Sequence, residues 1–184
     1  MRQGIASVWI LGLVVGFIFM FTAYIAITIN YTASYKIKNE MLKIIEKHKG
    51  VTDYQGKSVP SIFPGQGNVT GDVGTLQTLN LYLRGNAYDA MGKCPTDDGD
   101  NWIGIYELTE GNGGYDNPAV ANKKYYYCIA KVKYNPIKNG AQASYFYRVK
   151  LFYKFEIPVL SDFFSVDVVG RTMEIFDVQD SIWG

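Results

Sequence analysis

The chain opens with an apolar stretch that carries no charged side chain over residues 3–35, and residues 5–29 read IASVWILGLVVGFIFMFTAYIAITI. About 20 apolar residues at 1.5 Å each span the hydrocarbon of a bilayer, so the stretch predicts a transmembrane helix. A cleaved secretory signal has a shorter apolar region and a small-residue exit. Trp9 near one end, with Tyr24 and Tyr31 near the other, suits the interfacial belts where aromatic rings collect. Beyond the apolar run the pattern changes from uniform to amphipathic. Residues 31–49 place Tyr35, Met41, Leu42 and Ile45 close to one face among lysines and glutamates, and Gly50 follows as a stop signal. The expectation is one continuous helix of about 45 residues, transmembrane over 5–29 and amphipathic over 30–49.

The remainder, residues 50–184, reads as one β-rich domain. Residues 50–75 are rich in Gly, Pro, Ser, Thr and Asp and predict a long connector. Gly65, Gly67 and Gly71 do not form a phosphate cradle, because a genuine one follows a buried strand and opens a helix. Residues 76–91 fit two readings. Leu79, Leu81 and Leu83 alternate as in a strand, whereas Leu76, Leu79, Leu83 and Tyr88 mark one side of a helix. Strands are expected over 102–108, 125–134, 144–157 and 165–176. In the third of these Tyr145, Tyr147, Val149, Leu151, Tyr153 and Phe155 alternate with Arg148, Lys150 and Lys154, giving an apolar and a mostly basic face. Asn139-Gly140 marks the turn before it, and Pro158 ends it. The fold class expected is α+β: a long N-terminal helix packed on an antiparallel β-meander, its amphipathic half covering the apolar face.

Composition narrows the function. Of 184 residues 48% are hydrophobic and the formal charge is only +1, so nothing argues for nucleic acid or an acidic substrate. Fifteen tyrosines suit half-buried sheet faces. Residues 125–127, with Tyr115, Tyr134, Tyr145 and Tyr147, form either core packing or an exposed aromatic patch. Two signals disagree about the side of the membrane. Arg2 alone precedes the apolar run, while Lys36, Lys38, Lys43, Lys47 and Lys49 follow it, which by the positive-inside rule places the domain in the cytoplasm. Cys94 and Cys128 lack metal-ligand spacing and are most simply a disulfide, which places the domain outside the cytoplasm. The lysines are accounted for as the solvated face of the helix, so an extracytoplasmic domain is expected. Gly12 and Gly16 form a G-x-x-x-G pair, a candidate for helix–helix packing in the membrane.

Catalytic constellations are missing. His48 stands among lysines, and no Cys–His pair, serine elbow or zinc cluster can be assembled around it. Asp97, Asp98 and Asp100 are candidate oxygen ligands for Ca2+, but they lack the spacing and closing glutamate of an EF-hand, so a solvated turn is expected. No enzymatic activity, cofactor or small-molecule substrate is expected.

The leader MRQG, the apolar helix beginning at Ile5, its continuation NEMLKIIEKHKG and the late stretch YRVKLFYKFEIPVLSDFF…SVDVVGRTMEI together resemble pilins and pseudopilins, nearest to the TadE-like proteins of tight-adherence (type IVc) pilus systems. The resemblance is architectural and covers the first 50 and last 40 residues. It implies cleavage by a prepilin peptidase between Gly4 and Ile5, packing of the helix among other pilin-like subunits or assembly-platform proteins, and a β domain facing outward. Many pilins carry a glutamate five residues into the mature chain. Here that position is Trp9, which points to a minor subunit rather than the main filament protein. The alternative is a singly anchored extracytoplasmic binding or adhesion module with no filament role.

Overall fold

The computed structural model describes residues 2–51, 74–96, 99–108, 114–119, 123–135, 144–154 and 165–176. The expected connector over 52–73, the Asn139-Gly140 turn, Pro158 and the link over 159–164 lie outside the described residues.

Helix α1 runs unbroken over Arg2–Lys47, 46 residues or about 69 Å at 1.5 Å each. It ends in a Schellman-type turn, with Lys49 N–H donating to Glu46 O and Gly50 N–H to Ile45 O. The left-handed residue of that turn is Lys49, at φ 53°, one position before the glycine that the sequence offered as a stop. Of residues 76–91 the first ten are helical: α2 spans Thr75–Gly85 and buries Leu76, Leu79 and Leu83, the 3.6-residue set, while Tyr88 lies past its end. Its end repeats the same motif with Ala87 at φ 50° and Tyr88 N–H donating to Leu83 O.

Six strands follow among the described residues: β1 (Trp102–Ile105), β2 (Tyr115–Asp116), β3 (Tyr127–Asn135), β4 (Ser144–Lys154), β5 (Ser165–Arg171) and β6 (Ile175–Phe176). All pairings are antiparallel, in the order β2-β1-β3-β4-β5, with β6 also on β4. Strands β3, β4 and β5 form an up-and-down meander, whereas β2 folds back on the outer side of β1. The single strand expected over 165–176 is two, β5 and β6, separated at residues 172–174. Thr172 carries the ladder across this gap. Its N–H donates to Tyr147 O, and its Oγ1 accepts from Tyr147 N–H, each at 2.9 Å. Met173 N–H then donates to Glu46 Oε1 at 2.8 Å, tying the interruption to the end of α1.

The main core lies between the helices and one sheet face. Met41 and Ile45 from α1 and Leu76, Leu79 and Leu83 from α2 meet Ile103, Ile105, Tyr127, Ile129, Tyr147, Val149 and Leu151. The α1 stripe is Ser34, Lys38, Met41 and Ile45, all buried, with Leu42 half-buried beside it. Tyr35, expected on that face, is 45% exposed, because it sits about 100° around the helix from Ser34. Buried Lys38 takes its place. Its stem crosses β5 at Gly170, where an added Cβ would lie 2.7 Å from Lys38 Cδ and 2.9 Å from Leu42 Cδ1. Its ammonium lies over the Tyr35 ring at 3.6 Å.

Candidate functional site

Among the described residues, none in the apolar half of α1 is buried against the domain. Val8, Trp9, Leu13, Phe17, Phe19, Met20 and their neighbours through Ile29 are exposed, and the helix is long and apolar enough to cross a membrane. Its threonine hydroxyls are satisfied from within. Thr22 Oγ1 donates to Ile18 O, Thr28 Oγ1 to Tyr24 O at 2.9 Å, and Thr32 Oγ1 to Thr28 O at 2.8 Å. A hydroxyl bonded to its own helix leaves no donor to be solvated, which is what a hydrocarbon environment requires. Gly12 and Gly16 have open space where a Cβ would stand, so within one chain nothing packs on this pair. Gly4 and Ile5 fall in the first turns of the helical backbone.

The opposite face of the sheet is closed by a second, smaller core, which the sequence pattern did not reveal. Ala90, Cys94, Trp102, Tyr125, Cys128, Ala130 and Phe152 are buried together there. The segment after α2 crosses this face, and the disulfide between Cys94 and Cys128 fastens it to β3, with a Cα–Cα distance of 5.7 Å. Cys128 pairs in register with Gly104 of β1, and Tyr125 lies flat on that glycine. A Cβ at Gly104 would stand 2.3 Å from Tyr125 Cδ1, so only glycine lets the ring lie against the sheet there. The face expected to be mostly basic is therefore partly apolar: Phe152 follows Arg148 and Lys150 along β4, and Ala130 stands opposite Arg148 on β3.

Tyr88 joins the two cores, and no local signal singled it out for this task. Its hydroxyl accepts from Phe152 N–H at 2.9 Å and donates to Phe152 O, with Tyr126 O nearby at 3.2 Å. Strand β3 begins only at Tyr127, so at this level the phenol supplies β4 with the partner that a neighbouring strand would give. Burial pushes the phenol above the ordinary tyrosine range, against the pull of its backbone hydrogen bond. Tyr88→Phe would leave a buried N–H and C=O without this partner. It is expected to destabilise the domain by about 1–3 kcal/mol, lowering the urea midpoint with the slope unchanged. An unshifted midpoint would remove Tyr88 from this role.

Two ion pairs stand on the outer face among the described residues. Asp100 accepts from Arg148, and Lys150 Nζ meets Asp167 Oδ2 at 2.6 Å, which holds the Asp167 carboxyl below its usual range. Asp97 and Asp98 lie outside the described residues, while the third member of that acidic stretch, Asp100, is engaged by Arg148. Among the described residues no three of His, Cys, Asp and Glu gather as a metal site would need. His48 sits half-buried in the turn after α1. The tyrosines do not assemble one outward patch. Tyr125, Tyr127 and Tyr147 are buried in two different cores, Tyr115, Tyr126 and Tyr145 are half-buried, and the side chain of Tyr134 lies outside the described residues.

What the molecule presents is thus an uncovered apolar rod continuous with a doubly sealed sheet. No protein-family model, curated protein or solved structure matches this chain.

Proposed function

We propose that the protein is a minor, pilin-like structural subunit of a tight-adherence type surface or secretion apparatus, similar to TadE-like proteins, and not an enzyme. Its work is to pack the membrane half of α1 among other such helices or against an assembly platform and to present the sheet domain outside the cytoplasm. The observation that carries this reading is the shared helix. One 46-residue element is bare and apolar in its first half and supplies the cover of an antiparallel sheet in its second. The uncovered Gly12 and Gly16 offer the membrane half a surface on which another helix can approach closely. A buried disulfide supports an oxidising compartment, since such bonds persist outside the cytoplasm.

Trp9 argues against the main filament protein, and so fits a minor subunit and equally a second reading, a singly anchored extracytoplasmic binding or adhesion module with no filament role. A carboxylate at that position would pair with a neighbour's amino terminus when helices stack, and tryptophan offers no such partner.

The intact mass of the protein taken from its native membrane, without reductant, tests both. Loss of residues 1–4, a deficit of two hydrogens and co-purification with assembly proteins are expected for the subunit. An uncut chain found alone in the membrane would favour the anchored module. Two free thiols would overturn the extracytoplasmic placement.

A further inference from the structure

The distance between the lipid boundary and the first packed residue of α1 is short, and this fixes where the domain stands. The inference rests on the reading that residues 5–29 cross the bilayer. Those residues rise about 37 Å at 1.5 Å each, against a hydrocarbon thickness of about 30 Å, so the helix emerges into the headgroup layer by Ile29. No spacer follows. Asn30, Ala33, Ser34 and Ile37 already line a crevice with Asn86, Ala87, Tyr88, Asp89 and Tyr153, and Ser34 is 4% exposed. From Asn30 to Ser34 is a single helical turn, about 5.4 Å, no more than the thickness of one headgroup layer.

The segment that closes this crevice has the chemistry of an interfacial surface. Helix α2 ends there with Arg84 in its last turn, and Arg84, Asn86, Ala87, Asp89 and Met91 are all exposed. Arg84 is balanced by Asp89, so the turn carries no net charge, and with a flexible thioether and small polar groups it suits the boundary between lipid headgroups and acyl chains.

We propose that the domain rests directly on the bilayer it is anchored to, with the turn over residues 84–91 seated in the lipid headgroup layer. The partner is the phospholipid surface itself, met by the end of α2 rather than by a strand or by the disulfide-fastened face. The seat follows from the continuity of α1: a helix without a break holds the turn at the height that its own length dictates.

The full chain, reconstituted in vesicles of phosphatidylglycerol and phosphatidylcholine with its disulfide intact, provides the test. Single nitroxide labels are placed through Ala87→Cys, Gly12→Cys and Met173→Cys. Met173 bonds through its N–H to Glu46, 16 residues beyond Asn30 and so about 24 Å farther along α1. Collision with a water-soluble nickel chelate and with oxygen is read at each site. The expected result is several-fold lower nickel-chelate accessibility at Ala87 than at Met173, with the Gly12 label favouring oxygen. Ala87 as accessible as Met173, with Gly12 still in lipid, would show a domain standing clear of the membrane and overturn this inference alone. A Gly12 label in water would overturn the spanning reading and this inference with it.

Discussion

Alanine at both Cys94 and Cys128 is expected to lower the stability of the domain by about 3–4 kcal/mol, and its melting temperature by roughly 10–15 °C. The bond joins positions 34 residues apart, and on the chain-entropy model most of its effect lies in the unfolded ensemble, which is freer without it. A second contribution lies in the folded state. The bond pins the segment bearing Ala90 and Cys94 over Phe152 and Tyr125, alongside the Gly92–Tyr125 backbone pair and the Tyr88 hydroxyl, so its loss removes one of three ties among the described residues that hold this core closed. Thermal unfolding of the double variant beside the reduced parent separates the two effects. Equal losses would assign the effect to the cross-link, whereas a larger loss in the variant would add the packing of the sulfur atoms. A change below about 1 kcal/mol in both would mean that the second core holds without its clasp.

Met41→Ala together with Ile45→Ala should act on the other face of the sheet. Both side chains are fully buried, and removing either costs about 2–5 kcal/mol by lost burial and the cavity left behind. They stand one turn apart and share neighbours, so the two losses will not add simply. Even one of them is a large share of the 5–15 kcal/mol that ordinarily holds a domain. The expected result is selective. Amide exchange in the membrane-reconstituted chain should accelerate over residues 37–47 and in α2, while residues 8–29, none of them buried against the sheet, exchange as in the parent. Uniform protection along α1 in the double variant would show that the second half of the helix is held by something other than its contact with the sheet.

The sequence announced much of this architecture. Uncharged residues 3–35 and the amphipathic run after them are strong local patterns, and together they gave the length and continuity of α1. Met41 and Ile45 were legible because a 3.6-residue period selects them, and Tyr147, Val149 and Leu151 because a two-residue period does. Residues 76–91 were ambiguous because Leu79 and Leu83 belong to both the two-residue and the 3.6-residue sets, and burial of Leu76 with exposure of Leu81 marks the helix only in the fold. Lys38 was missed because burying a lysine requires a glycine on another strand, at position 170, to make room for the stem. The second core was missed for a related reason. Ala90, Cys94 and Phe152 belong to segments far apart in sequence, and the stretch AYDAMGKC that covers the outer face looks like a polar loop. The break at residues 172–174 turns on one hydroxyl, that of Thr172, standing in for a backbone carbonyl, which no alternation pattern encodes. The candidate membrane and disulfide residues were thus legible from composition, while Tyr88, Phe152 and Gly104, which hold the outer face, become visible only through the fold.

The unbroken helix also has a mechanical consequence. A rod of about 69 Å with no hinge at the lipid boundary works as a lever. A change of tilt of about 10° within the membrane swings its far end by roughly 12 Å, and the sheet must travel with it, because Met41, Ile45 and the Glu46–Met173 hydrogen bond clamp it to that end. On the proposed reading, in which α1 packs among other helices in a bilayer, small rearrangements there would appear at its far end, enlarged, as displacement of the sheet.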